Sequence, residues 1–432
     1  MIYHLFEYLR QFDFPGVRLM SYLSFRAMLA SVTSMLFVLV VGKRIIDLLQ
    51  RKQIGETIRD LGLEGQMQKK GTPTMGGVII ILGILVSALL FCNLKNIYVN
   101  LLLLTTLWCG GMGFADDYIK VFKHNKEGMS EKGKLILQIM LGFAIGLTVC
   151  YSPDIVVREK VRNEDAVYVS ENSSNVNVDS ERLITSGQWK SEDVVKSTKT
   201  TIPFVKSHEF DYKILSPFKG KWGWYAKWAI YVMMIIFVIM ACSNGANLTD
   251  GMDGLSAGTS AIVGVVIGIL AWLSGNLIDS NYLNIMYIPG TGEVAIFMSA
   301  FVGALIGFLW YNSYPAQVFM GDTGSLTIGG IIGVSAILIR KELLLPILCG
   351  IFVVESLSVL LQRGYFKYTR KKYGEGRRIF KMSPLHHHYQ KEGIPAVIQS
   401  PARALPEAKI VARFWIVGLI LAVATLALLK LR

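Results

Sequence analysis

The sequence predicts an all-α polytopic membrane protein with ten transmembrane helices and both termini on the extracytoplasmic side. Two observations support this fold class. Of the 432 residues, 52% are hydrophobic and only 17% are charged, and the mean hydropathy is +0.45, whereas about a quarter of the residues in soluble domains are charged. The apolar residues also form long blocks separated by polar loops, which favours a membrane bundle over two or three soluble domains.

Ten blocks are read as transmembrane helices, since a spanning helix needs about 20 mostly apolar residues. Small residues such as Gly329, Gly330 and Gly333 allow close helix packing, so the blocks are expected to form one compact bundle. The five cysteines lie within or at the ends of blocks and form no CxxC pair, which indicates packing residues. The blocks are 22–42, 75–92, 97–115, 135–151, 226–243, 255–275, 294–311, 325–340, 343–361 and 410–429.

The distribution of Lys and Arg predicts which loops face the cytoplasm. The loops after the odd-numbered blocks carry 24 Lys and Arg, counting Arg413 just beyond the last of them, whereas the chain ends and the short even-numbered loops carry 8. Because cytoplasmic loops carry the excess of positive charge, the odd-numbered loops are placed in the cytoplasm. This placement accounts for the net charge of +13 without a nucleic-acid partner.

One segment departs from a plain bundle. Residues 152–225 are polar and divide the membrane domain into 1–151 and 226–432. Short alternations of apolar and polar residues in this segment indicate β-strands, so it is either a mobile extracytoplasmic insertion or a small β-containing cap. Because it is predicted on the side opposite to the polar motifs, it is expected to be dispensable for chemistry.

Five polar motifs follow the odd-numbered blocks, so all of them fall on the predicted cytoplasmic face. Scattered loop polarity would not segregate in this way, and we infer one composite site at the cytoplasmic membrane surface. The motifs are Lys69-Lys-Gly-Thr-Pro-Thr-Met-Gly-Gly77, Phe114-Ala-Asp-Asp-Tyr-Ile-Lys120, Asn247-Leu-Thr-Asp-Gly-Met-Asp-Gly254, the segment from Asn312-Ser-Tyr-Pro to Phe319-Met-Gly-Asp-Thr-Gly324, and Ser383-Pro-Leu-His-His-His-Tyr389.

The composite site is rich in aspartate, with Asp116, Asp117, Asp250, Asp253 and Asp322. Clustered carboxylates repel an anionic substrate unless a hard divalent cation intervenes. Mg²⁺ fits because it takes few carboxylates and keeps coordination positions for phosphate oxygens. Asp250 and Asp253 would share a face if their turn were helical. Asp116 and Asp117 are adjacent and would point about 100° apart on a helix, so they are expected to perform different roles.

Three consecutive histidines, His386, His387 and His388, form the last signal. Because their side chains diverge, the tripeptide is poor geometry for three metal ligands. Three interpretations stay open, namely binding of phosphate or sugar oxygens, a metal site and a structural turn. Glu355, within the ninth block, has either a functional role or a structural partner in the bundle, and it is left out of the predicted site.

The motifs, in this order, closely resemble those of the phospho-N-acetylmuramoyl-pentapeptide transferases, which belong to the polyprenyl-phosphate N-acetylhexosamine-1-phosphate transferase superfamily. The resemblance covers nearly the whole chain and all five predicted cytoplasmic loops, although the 152–225 insertion departs from the shorter family members. It rests on Lys70 with Pro73-Thr-Met-Gly-Gly77, on Asp116-Asp117, on Asn247 through Gly254, on Phe319-Met-Gly-Asp322, and on Pro384-Leu-His-His-His388.

The resemblance implies an enzyme that transfers phospho-N-acetylmuramoyl-pentapeptide from its UDP carrier to undecaprenyl phosphate, with Mg²⁺ as cofactor. The products would be lipid I and UMP, in the first membrane step of peptidoglycan synthesis. It also implies a multi-pass protein of the bacterial inner (cytoplasmic) membrane, in contact with membrane lipids, with the active site on the cytoplasmic face. Whether the chain forms a homodimer is left open.

The resemblance further implies roles for individual residues. Asp322 is the expected Mg²⁺ ligand, Asp117 is expected to position the metal or a phosphate, and Asp116 is the candidate base for the lipid phosphate, with structural support of Asp117 as its alternative. Direct attack by the lipid phosphate is favoured over a covalent phospho-aspartyl route. The expected substrate-binding residues are Lys70, Thr74, Lys134, Asn247, Asp250, Asp253, Asn312, Phe319 (stacking on uracil), Gln362, His386, His387 and His388.

Two alternatives are weighed against this interpretation. A sister transferase that uses UDP-N-acetylglucosamine shares the aspartate motifs, but the Pro-Leu-His-His-His and Pro-Thr-Met-Gly-Gly runs favour the muramoyl-pentapeptide branch. A secondary transporter with a basic cytoplasmic face belongs to a different class. Transporters place charged sites near the bilayer midplane, whereas the polar clusters of this chain are predicted at one interface.

Overall fold

The computed structural model describes residues 1–12, 16–52, 71–123, 125, 127–158, 195–205 and 209–429. These residues form fourteen α-helices and one two-stranded sheet, which confirms the helical class of the fold. The helices are α1 (Ile2–Leu9), α2 (Leu23–Arg51), α3 (Gly77–Phe91), α4 (Ile97–Phe122), α5 (Glu131–Tyr151), α6 (Gly220–Thr249), α7 (Leu255–Gly275), α8 (Leu277–Tyr282), α9 (Gly292–Asn312), α10 (Gly321–Leu338), α11 (Leu345–Leu348), α12 (Gly350–Tyr373), α13 (Leu385–Gln390) and α14 (Glu407–Leu428).

Eight of the described helices are long and apolar enough to cross a membrane. They are α2, α4, α5, α6, α7, α9, α10 and α14, and the bent pair of α11 and α12 raises the number to nine if it counts as one span. Helix α3 is apolar but has only 15 residues. Each of the ten predicted blocks overlaps at least one of the described helices, and the ninth block overlaps both α11 and α12. A polytopic membrane protein is therefore confirmed, while the number of ten spans and the side of the termini stay predictions.

The ninth predicted block differs from the structure in its shape. The sequence predicts one span over 343–361, but the helices Glu342–Leu348 and Gly350–Tyr373 meet at an angle of 75°. Pro346 lies in the first turn of α11, where the missing N–H of proline is tolerated, so α11 starts as a separate short helix. Helix α12 then continues past the predicted end of the block, and its basic last turn lies beyond the apolar stretch.

Side-chain caps lie at the starts of two helices that contribute to the polar motifs. The Asn96 side chain accepts a hydrogen bond from the Tyr98 N–H at the start of α4, and Ser130 accepts one from the Gly133 N–H at the start of α5. Each cap satisfies an N–H group that has no partner within its helix. The α4 cap lies at one end of the bundle and the α5 cap lies at the other, where the motif loops gather.

Helices α7, α9 and α10 are the most buried of the spans and form the centre of the bundle. Glycines allow their backbones to touch the neighbouring helices. A Cβ on Gly303 of α9 would lie 2.2 Å from the Ser31 carbonyl oxygen of α2, and one on Gly329 of α10 would lie 2.3 Å from the Cys242 carbonyl oxygen of α6. Such close approach is typical of helix packing in membranes. All five cysteines are buried, as the packing interpretation predicts.

The described part of the 152–225 insertion contains β-structure. Strands β1 (Lys199–Thr201) and β2 (Glu209–Asp211) pair in antiparallel orientation. Val157 and Val195 form a further antiparallel bridge through two backbone hydrogen bonds of 3.0 and 2.9 Å. These pairings favour the small β-containing cap over a wholly mobile insertion, although residues 159–194 and 206–208 lie outside the described part of the chain.

Residues 195–205 and 209–215, which we call the docked ribbon, pack on the bundle at the end opposite to the motif loops. Lys341 Nζ donates to Thr201 Oγ1 at 2.8 Å, and the Tyr212 hydroxyl donates to Glu342 Oε1 at 3.2 Å. Lys341, Glu342 and Tyr212 are all buried. The docked ribbon is therefore part of the packed bundle end and contributes to its stability, whereas the expectation that the insertion is dispensable for chemistry stays a prediction.

Residues 159–194 are expected to be dispensable for both stability and rate, whereas the docked ribbon is expected to be needed for stability. Because the Val157–Val195 bridge holds the two ends of the 159–194 segment side by side, a short Gly/Ser linker can join them without strain. A variant with this linker is expected to keep the unfolding temperature in detergent and an enzymatic rate within a few-fold of the parent.

A replacement extended to residue 215 removes the fully buried Tyr212, and losing one buried aromatic side chain costs about 3–5 kcal/mol. We expect the longer replacement to lower the unfolding temperature clearly, and Tyr212→Ala to reproduce part of that loss. Equal unfolding temperatures for the short and the long replacement would show that the ribbon does not stabilise the bundle.

Candidate active site

Five polar side chains from four helices meet at one end of the bundle. Asp116 and Asp117 lie near the end of α4, Lys134 near the start of α5, Asn247 near the end of α6 and Asp322 in the first turn of α10. One oxygen from each of the three aspartates can be chosen so that all lie within 4.8 Å of one another. The structure thus brings together all three residues predicted to be catalytic, with two of the predicted substrate-binding residues beside them.

Asp117 is the acceptor for the first turn of α10. Its Oδ1 accepts a hydrogen bond from the Asp322 N–H at 3.1 Å, and its Oδ2 accepts from the Thr323 N–H at 2.9 Å and from the Thr323 hydroxyl at 2.6 Å. No side chain at the N-cap of α10 itself provides such an acceptor. A carboxylate at a helix N-terminus satisfies free N–H groups and interacts favourably with the helix dipole. The Asp117 carboxylate therefore positions Asp322 by binding the Asp322 backbone N–H.

Asp116 is completely buried and surrounded by donors. Its Oδ1 accepts a hydrogen bond from the Met129 N–H at 2.6 Å. Its Oδ2 lies 2.7 Å from Lys120 Nζ and 3.0 Å from Lys134 Nζ. These contacts tie the end of α4 to the start of α5.

Asp322 is the most accessible of the three aspartates, with its side chain 14% exposed. Its Oδ2 lies 2.6 Å from Lys134 Nζ and 3.2 Å from Lys120 Nζ, and its Oδ1 accepts from Asn247 Nδ2 at 2.9 Å. Both lysines therefore bridge Asp116 and Asp322. Counted as ionised groups, three carboxylates face two ammonium groups, which is an excess of one negative charge. This donor set fits a hard divalent cation, which prefers carboxylate oxygens.

Sequence reasoning missed Lys120 as a site residue. A signal was present, because Lys120 follows Asp116 by four residues on α4, the spacing at which helical side chains pair.

Glycines allow the helix ends to come this close. A Cβ on Gly113 of α4 would lie 2.2 Å from the Asp322 carbonyl oxygen, and one on Gly77 of α3 would lie 2.1 Å from the Gly324 backbone nitrogen. Gly321 has a φ of +71°, and a Cβ there would lie 3.1 Å from Thr74 Oγ1. The buried Thr74 thus stands beside the start of α10, and three helices meet with backbone in direct contact.

The loop that contains Thr74 is paired with the loop that precedes α10. The Phe319 N–H donates to the Pro73 carbonyl at 2.8 Å, and the Gly76 N–H donates to the Phe319 carbonyl at 2.8 Å. The half-buried Phe319 is held here through its backbone. Lys70, which precedes this loop, lies outside the described residues.

Three other predicted residues lie in or against the turn between α6 and α7. Asn312 accepts from the Gly254 N–H at 3.1 Å and donates to the Val318 carbonyl at 2.9 Å, and Asp253 Oδ2 accepts from the Ala316 N–H at 3.0 Å. Both side chains are buried, so in this arrangement they join two loops. Asp250, at the C-terminal end of α6, is half-buried. The turn from Asp250 to Asp253 is not helical, so the condition for a shared helix face is not met.

The histidine run divides into two buried rings and one half-buried ring. His386 donates its N–H to Glu355 Oε1 at 3.2 Å, and its ring Nδ1 lies 3.1 Å from Glu355 Oε2. His388 Nδ1 accepts from the Lys381 N–H at 3.1 Å, and its Nε2 lies 2.8 Å from the Ser400 carbonyl oxygen. The Nε2–H tautomer satisfies both contacts, and burial lowers the pKa of His388, which favours this neutral form.

His387 is the half-buried member of the run, and its Nδ1 lies 2.9 Å from Gln390 Oε1. The predicted residue Gln362 holds the neighbouring loop: it donates to the Phe380 carbonyl and accepts from the Ile379 and Phe380 N–H groups, each at 3.0 Å. Glu355, left out of the predicted site, holds the histidine helix α13 by its carboxylate. The sequence does contain a signal for Glu355, because an ionisable side chain within an apolar block indicates a functional or structural partner.

The sequence matches two family models. Residues 194–340 match the model for glycosyl transferase family 4, and residues 69–81 match signature 1 of the phospho-N-acetylmuramoyl-pentapeptide-transferases. The chain is also similar over its full length to three proteins named phospho-N-acetylmuramoyl-pentapeptide-transferase, each covered completely. The identities are 57% with the protein from Parabacteroides distasonis, 54% with that from Flavobacterium psychrophilum and 53% with one from Porphyromonas gingivalis.

Two glycines of α4 provide a matched test of the helix contact that forms the site. In Gly113→Ala, the new Cβ would meet the Asp322 backbone at 2.2 Å. Because the obstacle is backbone, α10 must shift, and overpacking of this kind costs about 1–3 kcal/mol. We expect kcat to fall by at least about tenfold, because displacing catalytic groups by about 1 Å is enough for such a loss.

Gly111→Ala serves as the control, because nothing lies within 4 Å of a Cβ at that position. It should keep the parental rate and gain slightly in stability from the better helix propensity of alanine. Unfolding temperature is measured for both variants. A folded Gly113→Ala protein with the parental rate would contradict the contact between α4 and α10.

Proposed function

The chain belongs to the phospho-N-acetylmuramoyl-pentapeptide transferase family, and we infer that it performs the family reaction at the three-aspartate cluster. It transfers phospho-N-acetylmuramoyl-pentapeptide from UDP to undecaprenyl phosphate and produces lipid I and UMP, in the first membrane step of peptidoglycan synthesis. The full-length identity to relatives named for this activity favours it over the sister reaction with UDP-N-acetylglucosamine. The convergence of Asp116, Asp117 and Asp322 supports the location of the site.

The site is proposed to lie at the cytoplasmic face of the bacterial inner membrane. The loops that carry it contain most of the loop Lys and Arg residues, as cytoplasmic loops do. This location allows a soluble nucleotide sugar and a lipid phosphate to reach the same atoms. The site would lie where aqueous and lipid substrates meet.

Asp322 and Asp117 are proposed to hold Mg²⁺. A bound ion would neutralise charge on the diphosphate and favour its alignment for attack. Asp117 keeps the first turn of α10 in place, so the backbone of Asp322 does not move when its side chain changes partners. Lys120 and Lys134, which contact both Asp116 and Asp322, are placed to share their charge with incoming phosphate oxygens.

The chemical step exchanges one diphosphate bond for another. An oxygen of the lipid phosphate attacks the phosphorus attached to the sugar, the new P–O bond forms, and the bond to UMP breaks with UMP carrying the electron pair. The lipid phosphate is already a competent nucleophile, so direct attack is favoured over a phospho-aspartyl intermediate. Asp116 is proposed to accept the proton of a monoprotonated lipid phosphate.

The remaining predicted residues are assigned to the pocket for the UDP-linked sugar substrate, which we call the donor pocket. Asn247 contacts Asp322 directly, which places it beside the phosphates, and Lys70, Thr74, Asp250 and Phe319 are proposed to bind the nucleoside and the sugar. Asp253, Asn312, Gln362, His386 and His388 are buried or engaged in loop contacts, so their proposed role is to position the loops around the pocket. His387 is the half-buried histidine of the run, and it is proposed to contact the UDP-linked substrate.

Release of UMP by the purified protein tests the reaction and the metal together. With undecaprenyl phosphate and Mg²⁺, we expect UMP from UDP-N-acetylmuramoyl-pentapeptide and none from UDP-N-acetylglucosamine. Excess EDTA should abolish UMP release and added Mg²⁺ should restore it. Asp322→Asn is expected to lower kcat at least about 10²-fold, the scale of removing one strong electrostatic stabiliser.

Asp154→Asn is the matched control, because Asp154 is exposed and lies outside the site. Parental kcat is expected for this variant at every Mg²⁺ concentration. Release of UMP from UDP-N-acetylglucosamine alone would assign the chain to the sister reaction. Full activity in excess EDTA would remove the metal from the proposal.

The proposed roles of Asp116 and Asp117 can be distinguished by the pH dependence of the rate of their Asn variants. The second pKa of a phosphate monoester is about 6, so above about pH 8 the lipid phosphate is a dianion and needs no base. Asp116→Asn should therefore lose most rate at low pH and recover partly as the pH rises. Asp117→Asn should lose rate almost equally at all pH values, because Asp117 holds the start of α10. The measurement is kcat/KM for both variants from about pH 6 to 9. Parallel profiles would reject Asp116 as the base.

A further inference from the structure

The C-terminal end of α12 and the turn after it carry a dense set of positive charges. Between residues 363 and 378 there are seven Lys and Arg against one acidic residue, Glu375. All seven are exposed, and the mechanism proposed for the reaction assigns them no role. They are Arg363, Lys367, Arg370, Lys371, Lys372, Arg377 and Arg378.

One face of α12 changes from apolar to cationic along its length. Its exposed residues begin with Val353, Leu357 and Leu361, and the leucines are 48% and 54% exposed. Residues three or four apart lie on the same helix face, and continuing this spacing leads to Tyr368 and Lys372. We call this face, with Lys367 and Lys371 beside it, the α12 stripe. Along the stripe, apolar side chains are followed by an aromatic and then by cationic side chains. A membrane presents the matching order, from the hydrocarbon core through the interface to the charged headgroups.

The chain after α12 folds back and adds charge to the same surface. Gly374 ends the helix with a φ of +80°, and the Arg377 N–H donates to the Thr369 hydroxyl at 2.8 Å. The Arg377 guanidinium then lies 4.8 Å from the centre of the Tyr373 ring, and Lys372 Nζ lies 5.3 Å from it. Aromatic rings that contact cations in this way are common at membrane interfaces.

These cations have no carboxylate partner among the residues that the structure describes. None of the ion pairs found there includes any of the seven. An unpaired, closely spaced set of ammonium and guanidinium groups repels itself unless anions neutralise it. The surface is therefore suited to anions that lie at the end of an apolar face.

We propose that the α12 stripe binds the phosphate headgroups of anionic phospholipids in the leaflet nearest the active site. Basic clusters that directly follow a transmembrane helix are attracted to anionic lipids, by a factor of about five in binding for each Lys or Arg. The acceptor undecaprenyl phosphate carries a related phosphate. The cations are spread along the helix and its following turn instead of converging on one point, which favours several headgroups over a single acceptor.

Lipid binding at the stripe would support the site, a step that rests on the proposed function. The buried face of the same helix carries Glu355, which holds His386, and Gln362, which holds the loop at Ile379 and Phe380. Headgroups that fix the outer face of α12 would therefore also fix the loops of the donor pocket.

The test uses the full chain in nanodiscs of phosphatidylcholine, alone or mixed with phosphatidylglycerol. Two readouts are taken: the number of phosphatidylglycerol molecules retained on the protein in native mass spectrometry, and kcat/KM for UMP release. The triple variant Lys367→Gln, Lys371→Gln, Lys372→Gln is expected to bind phosphatidylglycerol about a hundredfold more weakly. It should also lose the stimulation of kcat/KM by phosphatidylglycerol, and the triple Lys→Arg variant should keep both.

The control removes three exposed cations at the cytoplasmic end of α2, with Arg44→Gln, Arg51→Gln and Lys52→Gln. It should keep the stimulation of kcat/KM and lose less phosphatidylglycerol than the stripe variant, and an equal loss of both readouts would show a general charge effect in place of the α12 stripe. Unchanged retention in the stripe variant would overturn the proposal whatever the activity. A raised KM for undecaprenyl phosphate with unchanged phosphatidylglycerol retention would assign the stripe to the acceptor instead.

Discussion

The structure is organised around three carboxylates that repel one another. Asp116, Asp117 and Asp322 lie within a few ångströms at a junction of helix ends, where surrounding protein screens charge less well than water does. Such a cluster is tolerated only if positive charge and N–H donors surround it. Lys120 and Lys134 provide the charge, and the first turn of α10 provides donors to Asp117. The helix ends must therefore meet at this junction.

The need for close approach explains the small residues around the cluster. Gly113 and Gly77 bring α4 and α3 against the start of α10, at distances that no side chain could occupy. The same contacts leave the α10 backbone little freedom to move. An electrostatic site is most effective when its groups are already in place before the reaction, and backbone contact is a rigid means of holding them. Packing and catalysis thus depend on the same glycines.

Much of the fold and the centre of the site could be predicted from the sequence. Long apolar blocks and charge segregation predict helices that return the polar motifs to one end, and the separate Asp116-Asp117 and Asp322 motifs do meet there. Hydropathy reports composition and not direction, so the 75° break between α11 and α12 was missed. A local motif also does not show which groups a polar side chain will hydrogen-bond in the folded chain. Asn312 and His388 are engaged in loop contacts, which only the folded chain reveals.

The two ends of the bundle show why buried charge alone does not identify a site. Arg340, Lys341 and Glu342 are buried at the end that carries the docked ribbon. There, two cations and one carboxylate follow one another along the chain, and the ribbon provides hydroxyl partners for Lys341 and Glu342. These hydroxyl groups, and the Tyr231 ring whose centre lies 4.7 Å from the Arg340 guanidinium, are protein partners that need no ligand. At the other end, carboxylates converge and two lysines do not balance them. Like charges brought together raise the energy of the folded chain, and a bound cation lowers it. The convergence of like charges, and not their burial, therefore distinguishes the candidate active site from the structural cluster.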